Sequence, residues 1–284
     1  MKLKTRLTKT IQEMKTGELT RKNGFPYSQK TCKFYSDIIN SLRFKEKDTL
    51  RDIQDQLQKR GASSVTERNY INSVKILLEK IGFEYKDIKV KVFEPTIHIP
   101  DPDRVWEMIK NFKPESKQES WAFRYMVAEF LTSARYKDLS KLNQSNIQGE
   151  YLVYQQTKTG KKVTIPITET LRNQFSETDN LLPKIPYSSL LRYVKLVYKK
   201  AGFTRDISTT KMVSGQLITI TMKEYEAFGT HRLRGSAITG MLQTGMTERE
   251  VKQISGHSPM SNSFSRYVEF SQNHMNEKYK SFAR

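Results

Sequence analysis

The stretch 92–106, VFEPTIHIPDPDRVW, constrains this chain more than any other. Pro95, Pro100 and Pro102 each fix φ, lack a backbone donor and push the preceding residue out of the helical region. Neither a long helix nor a central strand runs through such a segment, so the 284 residues are expected to fold as two bodies joined there. The hydrophobic pattern also changes across it. Before it, apolar residues recur at helical spacing; after it, helical runs alternate with short β-type segments.

In the first part, Phe34, Ile38, Ile39 and Leu42 mark a helix that follows Ser28. Ile53 and Leu57 mark a second over Leu50–Arg60, ended by Gly61. A third opens at Ser63 or Ser64, carries Tyr70, Ile71, Val74, Leu77 and Leu78, and ends at Gly82. Residues 28–95 thus read as a helical domain, and residues 1–27 as a basic arm, disordered or a single helix. Residues 96–102 read as the linker and 103–284 as the second domain. There Asp103 is expected to cap a helix whose apolar face holds Val105, Trp106 and Ile109. QESWAFRYMVAEFLTS reads as an apolar helix, and Trp106 and Trp121 as core. Tyr151 with Val153 and Val163 with Ile165 flank the polar turn Thr157–Gly160, which predicts a β-hairpin. Residues 188–202 read as helix and 216–222 as a strand. From His231 onward the pattern is helical, with breaks at Gly245 and Gly256. The expected fold class is mostly α, of α+β type, with a small antiparallel sheet in the second domain.

Charge narrows the partner. Lys and Arg number 49 against 30 Asp and Glu, a net charge of +19. Residues 1–100 hold 21 basic and 12 acidic residues, and residues 101–284 hold 28 and 18. Both parts share the surplus, as a clamp around a polyanion requires. Nucleic acid precedes an acidic membrane as the partner, because no concentrated basic amphipathic helix stands out. The single cysteine, Cys32, excludes an internal disulfide and a cysteine zinc cage. No apolar run reaches the ~18 residues of a membrane span. The start, MKLKTRLTKTIQEMK, lacks the apolar core of a secretion signal. The expectation is a soluble cytoplasmic protein, associated with the nucleoid or working in the host cytoplasm if phage-encoded.

Common hydrolase signatures, a phosphate-binding glycine loop and an acidic two-metal cluster are not evident in the sequence. Three segments and a hairpin carry chemistry instead. In LTSARYKDLSKL, Arg135 follows an apolar helix and Asp138 lies three residues on. In THRLRGSAITGMLQTG, His231 and Arg234 share one helical face. In ISGHSPMSNSFSRYVEF, His257 follows a glycine and Tyr267 lies ten residues later. Lys158 sits at the hairpin turn. Two guanidiniums can hold non-bridging phosphate oxygens with forked hydrogen bonds. A tyrosine hydroxyl can attack phosphorus, and a histidine or lysine can manage the protons. Asp138 reads equally well as a cap of a short helix or as a group that orients Arg135.

These boxes resemble those of the tyrosine recombinases, the family of phage integrases and Xer-type recombinases. Leu131–Leu139 is similar to the first box, with Arg135 as its arginine; Lys158 matches the hairpin lysine. His231–Arg234 matches the H-x-L-R box, Ser255–Ser258 the L-G-H-S box, and Tyr267 the nucleophile. Ser133 stands where Gly is usual, Ser255 where Leu is common, and Gly235 where His or Arg is common. The interval from His257 to Tyr267 is one residue longer than expected. Tyr279 is a competing tyrosine, too far beyond His257 for the pattern.

The resemblance implies a helical core-binding domain and a mainly helical catalytic domain. It implies a site-specific recombinase, the integrase of a phage or mobile element, that cuts DNA through a 3′-phosphotyrosyl link made by Tyr267. Arg135 and Arg234 would stabilise the transition state, Lys158 would protonate the leaving 5′ oxygen, His231 would assist Tyr267 as base and His257 would hydrogen-bond the phosphate. It implies no cofactor and no metal. The implied partners are duplex attachment sites, three further copies in a synaptic tetramer and accessory DNA-bending proteins. It also implies a C-terminal helix over 270–284 that packs on a neighbouring protomer. The alternatives are a type IB topoisomerase-like relaxing enzyme and a non-catalytic DNA-binding regulator.

Overall fold

Serines start two of the helices of the first unit. Ser28 accepts a hydrogen bond from the Thr31 amide at the head of α2 (Gln29–Ser41), and Ser63 accepts one from Thr66 at the head of α4 (Ser64–Lys80). Preceding them is α1 (Leu3–Thr16), and between them lies α3 (Thr49–Lys59). The computed structural model describes residues 2–44, 49–94 and 97–258, together with Phe264, Tyr267, Tyr279 and Lys280. It divides into a unit of residues Met1–Ile97 with Ser208–Ile220 and a unit of His98–Ile207 with Thr221–Arg284.

The core of the first unit joins all four helices. It contains Cys32, Tyr35, Ile38, Ile39 and Leu42, then Leu50, Ile53 and Leu57, then Ile71, Val74, Leu77 and Leu78. Residues 1–27, expected as a basic arm that is disordered or a single helix, hold the one helix α1, and it contributes to this core. Leu3, Leu7, Ile11 and Met14 recur at near-helical intervals and are all buried, and α1 packs on α2 and α4. The Arg6 guanidinium donates to the Ile81 carbonyl at 2.7 Å. Lys2, Lys4, Lys9 and Lys15 are exposed around this stripe and mask it in a sequence rich in charge. Phe34, expected in the buried stripe, is 40% exposed and meets the edge of Tyr70.

The second unit opens with α5 (Pro102–Asn111) and α6 (Lys117–Thr132). Asp101, rather than Asp103, caps α5: its carboxylate accepts from the amides of Asp103 and Arg104, and Pro102 fills the first helical position. After the single turn α7 (Tyr136–Leu139) comes a three-stranded antiparallel sheet, β1 (Ile147–Gln148), β2 (Tyr151–Gln155) and β3 (Lys162–Pro166). Leu152 pairs with Ile165, and Tyr154 with Val163. A turn α8 (Glu169–Arg172) and helix α9 (Tyr187–Lys200) follow. The segment 216–222, expected as a strand, is β5 (Gln216–Lys223), paired with β4 (Asp206–Val213) across Ser214–Gly215, both at positive φ; most of this hairpin, Ser208–Ile220, belongs to the first unit. The turn α10 (Glu224–Ala227), α11 (Thr230–Gln243) and α12 (Glu248–Ser255) complete the described elements. The fold is mainly helical with small antiparallel sheets, as expected from sequence.

Helix α6 lies at the centre of this unit, packed on α9 and α11. Trp106 is 38% exposed, its ring edge-on to Phe130, and Trp121 is half-buried under the Lys117 ammonium, so neither is a full core residue. A smaller cluster of Ile238, Val251 and Phe264, all fully buried, seats Tyr267 beside α11 and α12. Among the described residues no helix is long and apolar enough to cross a membrane. The helix expected over 270–284 lies outside the described residues apart from Tyr279 and Lys280, and Pro95 lies outside them too.

Candidate active site

Four chain segments meet at one place, and backbone conformation brings them there. Helix α6 stops at Ser133, which takes a left-handed conformation with φ of 46°. A residue with a Cβ is disfavoured there by roughly 1–2 kcal/mol, which explains why glycine is common at this place in the first box. The reversal leaves Arg135 at the entrance to α7. At the far side, α12 stops at Gly256, again left-handed at φ of 68°, and turns His257 inward. Here glycine is required twice over, because a Cβ would collide with the Gln156 amide.

Arg135 is held from two sides. Its Nη1 donates to Gln156 Oε1 at 3.2 Å and lies 3.9 Å from Asp138 Oδ2. Asp138 is 3% exposed, and its Oδ1 accepts from the Thr157 amide at 2.8 Å. It lies inside α7 rather than at its start, so it does not cap that turn. It ties Arg135 to the hairpin turn between β2 and β3.

Arg234 is fully buried. Its Nη1 donates to the Ser133 carbonyl and its Nη2 to the Ser255 carbonyl at 2.8 Å. Nη2 also lies 3.3 Å from His257 Nδ1, which is 2.7 Å from the Ser255 hydroxyl. His257 Nε2 lies 3.4 Å from the same Arg234 Nη2, so either ring nitrogen can accept from the guanidinium. Burial, then repulsion from Arg135, pulls the Arg234 pKa down to about 10, so it remains a cation at neutral pH. Burial raises the pKa of Glu129 well above the usual carboxylate range, and the Arg234 charge opposes that rise.

Both histidines stay neutral at neutral pH. Burial, then repulsion from Arg234, Arg135, His231 and Lys161, lowers the His257 pKa to about 3. The direction at His231 is also downward, from loss of hydration and then from Arg234, Arg232, Arg135 and Lys158, although its residue is exposed at the surface. The low value at His257 predicts a stability effect. Between its ordinary 6.5 and about 3, the unfolded chain binds a proton there that the folded chain does not, so stability falls as pH falls through this window. Denaturant unfolding should show wild type losing about 1–2 kcal/mol more than His257→Gln between pH 7 and pH 5. Equal losses would refute the buried neutral imidazole.

Tyr267 reaches the cluster from beyond α12. Its ring centroid lies 6.1 Å from that of His257 and 6.1 Å from that of Phe264. Its hydroxyl makes no hydrogen bond among the described residues. Gly235 gives the ring its place on α11: a Cβ there would stand 3.0 Å from Tyr267 Cε1. Lys158 is exposed on the hairpin turn, and the lysine whose ammonium contacts the His257 carbonyl, at 3.4 Å, is Lys161. The structure therefore gathers Arg135, Asp138, Arg234, His257 and Tyr267, with His231 one turn from Arg234 on α11 and Lys158 on the turn beside them.

Gln156 is the member that the motif reading missed. It is 1% exposed and bonded to both halves of the cluster. The available signal was strand alternation: Leu152, Tyr154 and Gln156 fall on one face, and the first two are core residues. A polar side chain on a buried face is informative in a way that an exposed one is not.

A model of the phage integrase family matches residues 101–274. No curated protein sequence matches the chain. Among solved structures, the chain is similar to a lambda integrase dimer bound to a COC′ core site, with TM-score 0.67 and 15% identity over 94% of this chain and 95% of that one. It is similar to a lambda integrase tetramer bound to a Holliday junction, with TM-score 0.63 and 14% identity over 90% and 77%. A third likeness is to the Tn1549 transposon integrase in complex with circular intermediate DNA, with TM-score 0.61 and 15% identity over 94% and 95%. At these identities the likeness is one of fold.

Proposed function

The chain belongs to the phage integrase family, and from that premise we propose which of its residues carry out strand exchange and how. It is a tyrosine-type site-specific DNA recombinase, and the family match does not favour the topoisomerase and regulator alternatives. In the proposed reaction the Tyr267 oxygen attacks the scissile phosphorus. The P–O5′ bond breaks, a 3′-phosphotyrosyl link forms, and the 5′ oxygen leaves as a hydroxyl. The tyrosine proton passes to neutral His231, and Lys158 supplies the proton to the 5′ oxygen. Arg135 and Arg234 hold the non-bridging oxygens, and His257 hydrogen-bonds the phosphate. Attack by the 5′-hydroxyl of a partner strand on the same phosphorus releases Tyr267 and joins the exchanged strands. The phosphotyrosyl bond keeps the energy of the broken ester, so the cycle balances without an external energy source.

The observation that carries this reading is the buried cation Arg234, bonded to the same carbonyl as Gln156, which in turn holds Arg135. Two guanidiniums fixed this way suit one phosphate, because phosphoryl transfer depends on positioning and charge stabilisation. The DNA partner is supported by the basic surplus in both parts of the chain, and a tetramer on crossed duplexes by the likeness to the lambda integrase assembly on a Holliday junction. This chemistry takes place where the chromosome lies, hence the cytoplasm. Residues 28–95 with α1 serve as core-binding domain and residues 103–284 as catalytic domain.

Sequencing element–chromosome junctions supplies the attachment site for the test. On that DNA, Arg135→Ala should keep binding while single-turnover cleavage falls by roughly a hundred- to a thousandfold. Cleavage near the wild-type rate would remove Arg135 from the phosphate site.

A further inference from the structure

Gln156 makes hydrogen bonds that only a carboxamide can make together. Its Oε1 accepts from Arg135 Nη1 at 3.2 Å and from the Thr159 hydroxyl at 2.8 Å. Its Nε2 donates to the Ser255 carbonyl at 2.9 Å, the same oxygen that accepts from Arg234 Nη2 at 2.8 Å. Its backbone closes the hairpin turn: the amide donates to the Lys161 carbonyl and its carbonyl accepts from the Gly160 amide. Gly256 leaves the space that the amide fills. One buried side chain therefore touches the first arginine, the end of α12 that holds the second arginine and His257, and the turn that bears Lys158.

We infer that Gln156 is a positioning residue that sets the separation and orientation of the two guanidiniums that clamp the scissile phosphate. The inference rests on the reading of Arg135 and Arg234 given above. The amide suits the task because it is neutral: it offers one acceptor to Arg135 and one donor to a carbonyl, and takes no charge from either cation. A carboxylate would neutralise Arg135 and oppose the Ser255 carbonyl. A hydrocarbon would leave Arg135 able to swing away toward Asp138.

The test uses the full chain on its attachment site and compares wild type, Gln156→Met and Gln156→Glu. Methionine keeps the length and volume and removes both polar atoms. Glutamate fills the same space and keeps the acceptor while losing the donor, so it serves if the methionine variant folds poorly. Each is assayed on an ordinary scissile phosphodiester and on one in which methyl replaces a non-bridging oxygen. Methyl removes the negative charge that the arginines neutralise, so a defect caused by misplaced guanidiniums shrinks on it. A defect in folding or DNA binding does not.

The expected result is a loss of single-turnover cleavage on the order of a hundredfold on the phosphodiester, with DNA affinity unchanged, and a much smaller loss on the methylphosphonate. Cleavage by either variant at close to the wild-type rate would overturn the assignment. So would equal losses on the two substrates, or a loss of binding that accounts for the loss of cleavage. Wild type that forms no covalent adduct would overturn the reading beneath it, and the inference with it, whereas normal adduct formation with an unaffected Gln156→Met overturns the inference alone.

Discussion

Arg234→Ala should lose both activity and stability, because this side chain is a fully buried cation that also bonds the chain on either side of it. Removing it leaves the Ser133 and Ser255 carbonyls without that donor and opens space between α6, α11 and α12. The cost in unfolding free energy should be about 2–4 kcal/mol, within the range for lost buried hydrogen bonds and a large-to-small change. Cleavage should fall by roughly a thousandfold or more, since the charge proposed to hold the phosphate is lost. Arg234→Lys separates the two effects. One ammonium keeps the charge but lacks the planar fork that reaches Ser133, Ser255 and His257 together. It should recover part of the stability and little of the cleavage. Denaturant unfolding and single-turnover cleavage measure the two quantities, and an Arg234→Lys enzyme of near-normal rate would show that charge alone suffices.

Tyr267→Phe should abolish the covalent protein–DNA adduct and leave binding and folding intact. The ring is held by packing against Phe264, His257 and the bare backbone of Gly235, none of which requires the hydroxyl. Phenylalanine keeps these contacts and removes the one atom able to attack phosphorus. A trace of adduct on a nicked site would point to another nucleophile, and Tyr279, 69% exposed, is the residue to test next.

That Arg135, Arg234, His257 and Tyr267 lie together was legible in the sequence, because arginine, histidine and tyrosine in a fixed order leave few other readings. The helices before the proline-rich stretch were legible because Ile38 with Leu42, Ile53 with Leu57, and Val74 with Leu77 and Leu78 fall three or four residues apart, as one helical face requires. What stayed hidden shared one cause, the partner lying elsewhere in the chain. The buried stripe of α1 was masked by the charges around it. The exposure of Phe34 and Trp106 depends on neighbours that a helical period does not name. Strand β4, DISTTKMV, has no alternation of its own and is defined by pairing with β5. Gln156 shares the buried face of Leu152 and Tyr154, but the Ser255 carbonyl that it bonds comes from elsewhere in the chain. Asp101 could have been found, since Pro102 marks the first position of a helix and so places the cap one residue earlier.

Tyr267, beside a clamp of Arg135 and Arg234, is proposed to form the covalent bond to DNA. The most direct measurement traps wild-type protein on a nicked attachment site, digests the adduct and locates the modified peptide by mass spectrometry. The expected product is a nucleotide joined through its 3′-phosphate to Tyr267, with a free 5′-hydroxyl on the released strand. A nucleotide on Tyr279 or any other residue, a 5′-phosphate on the released strand, or no adduct at all would contradict it.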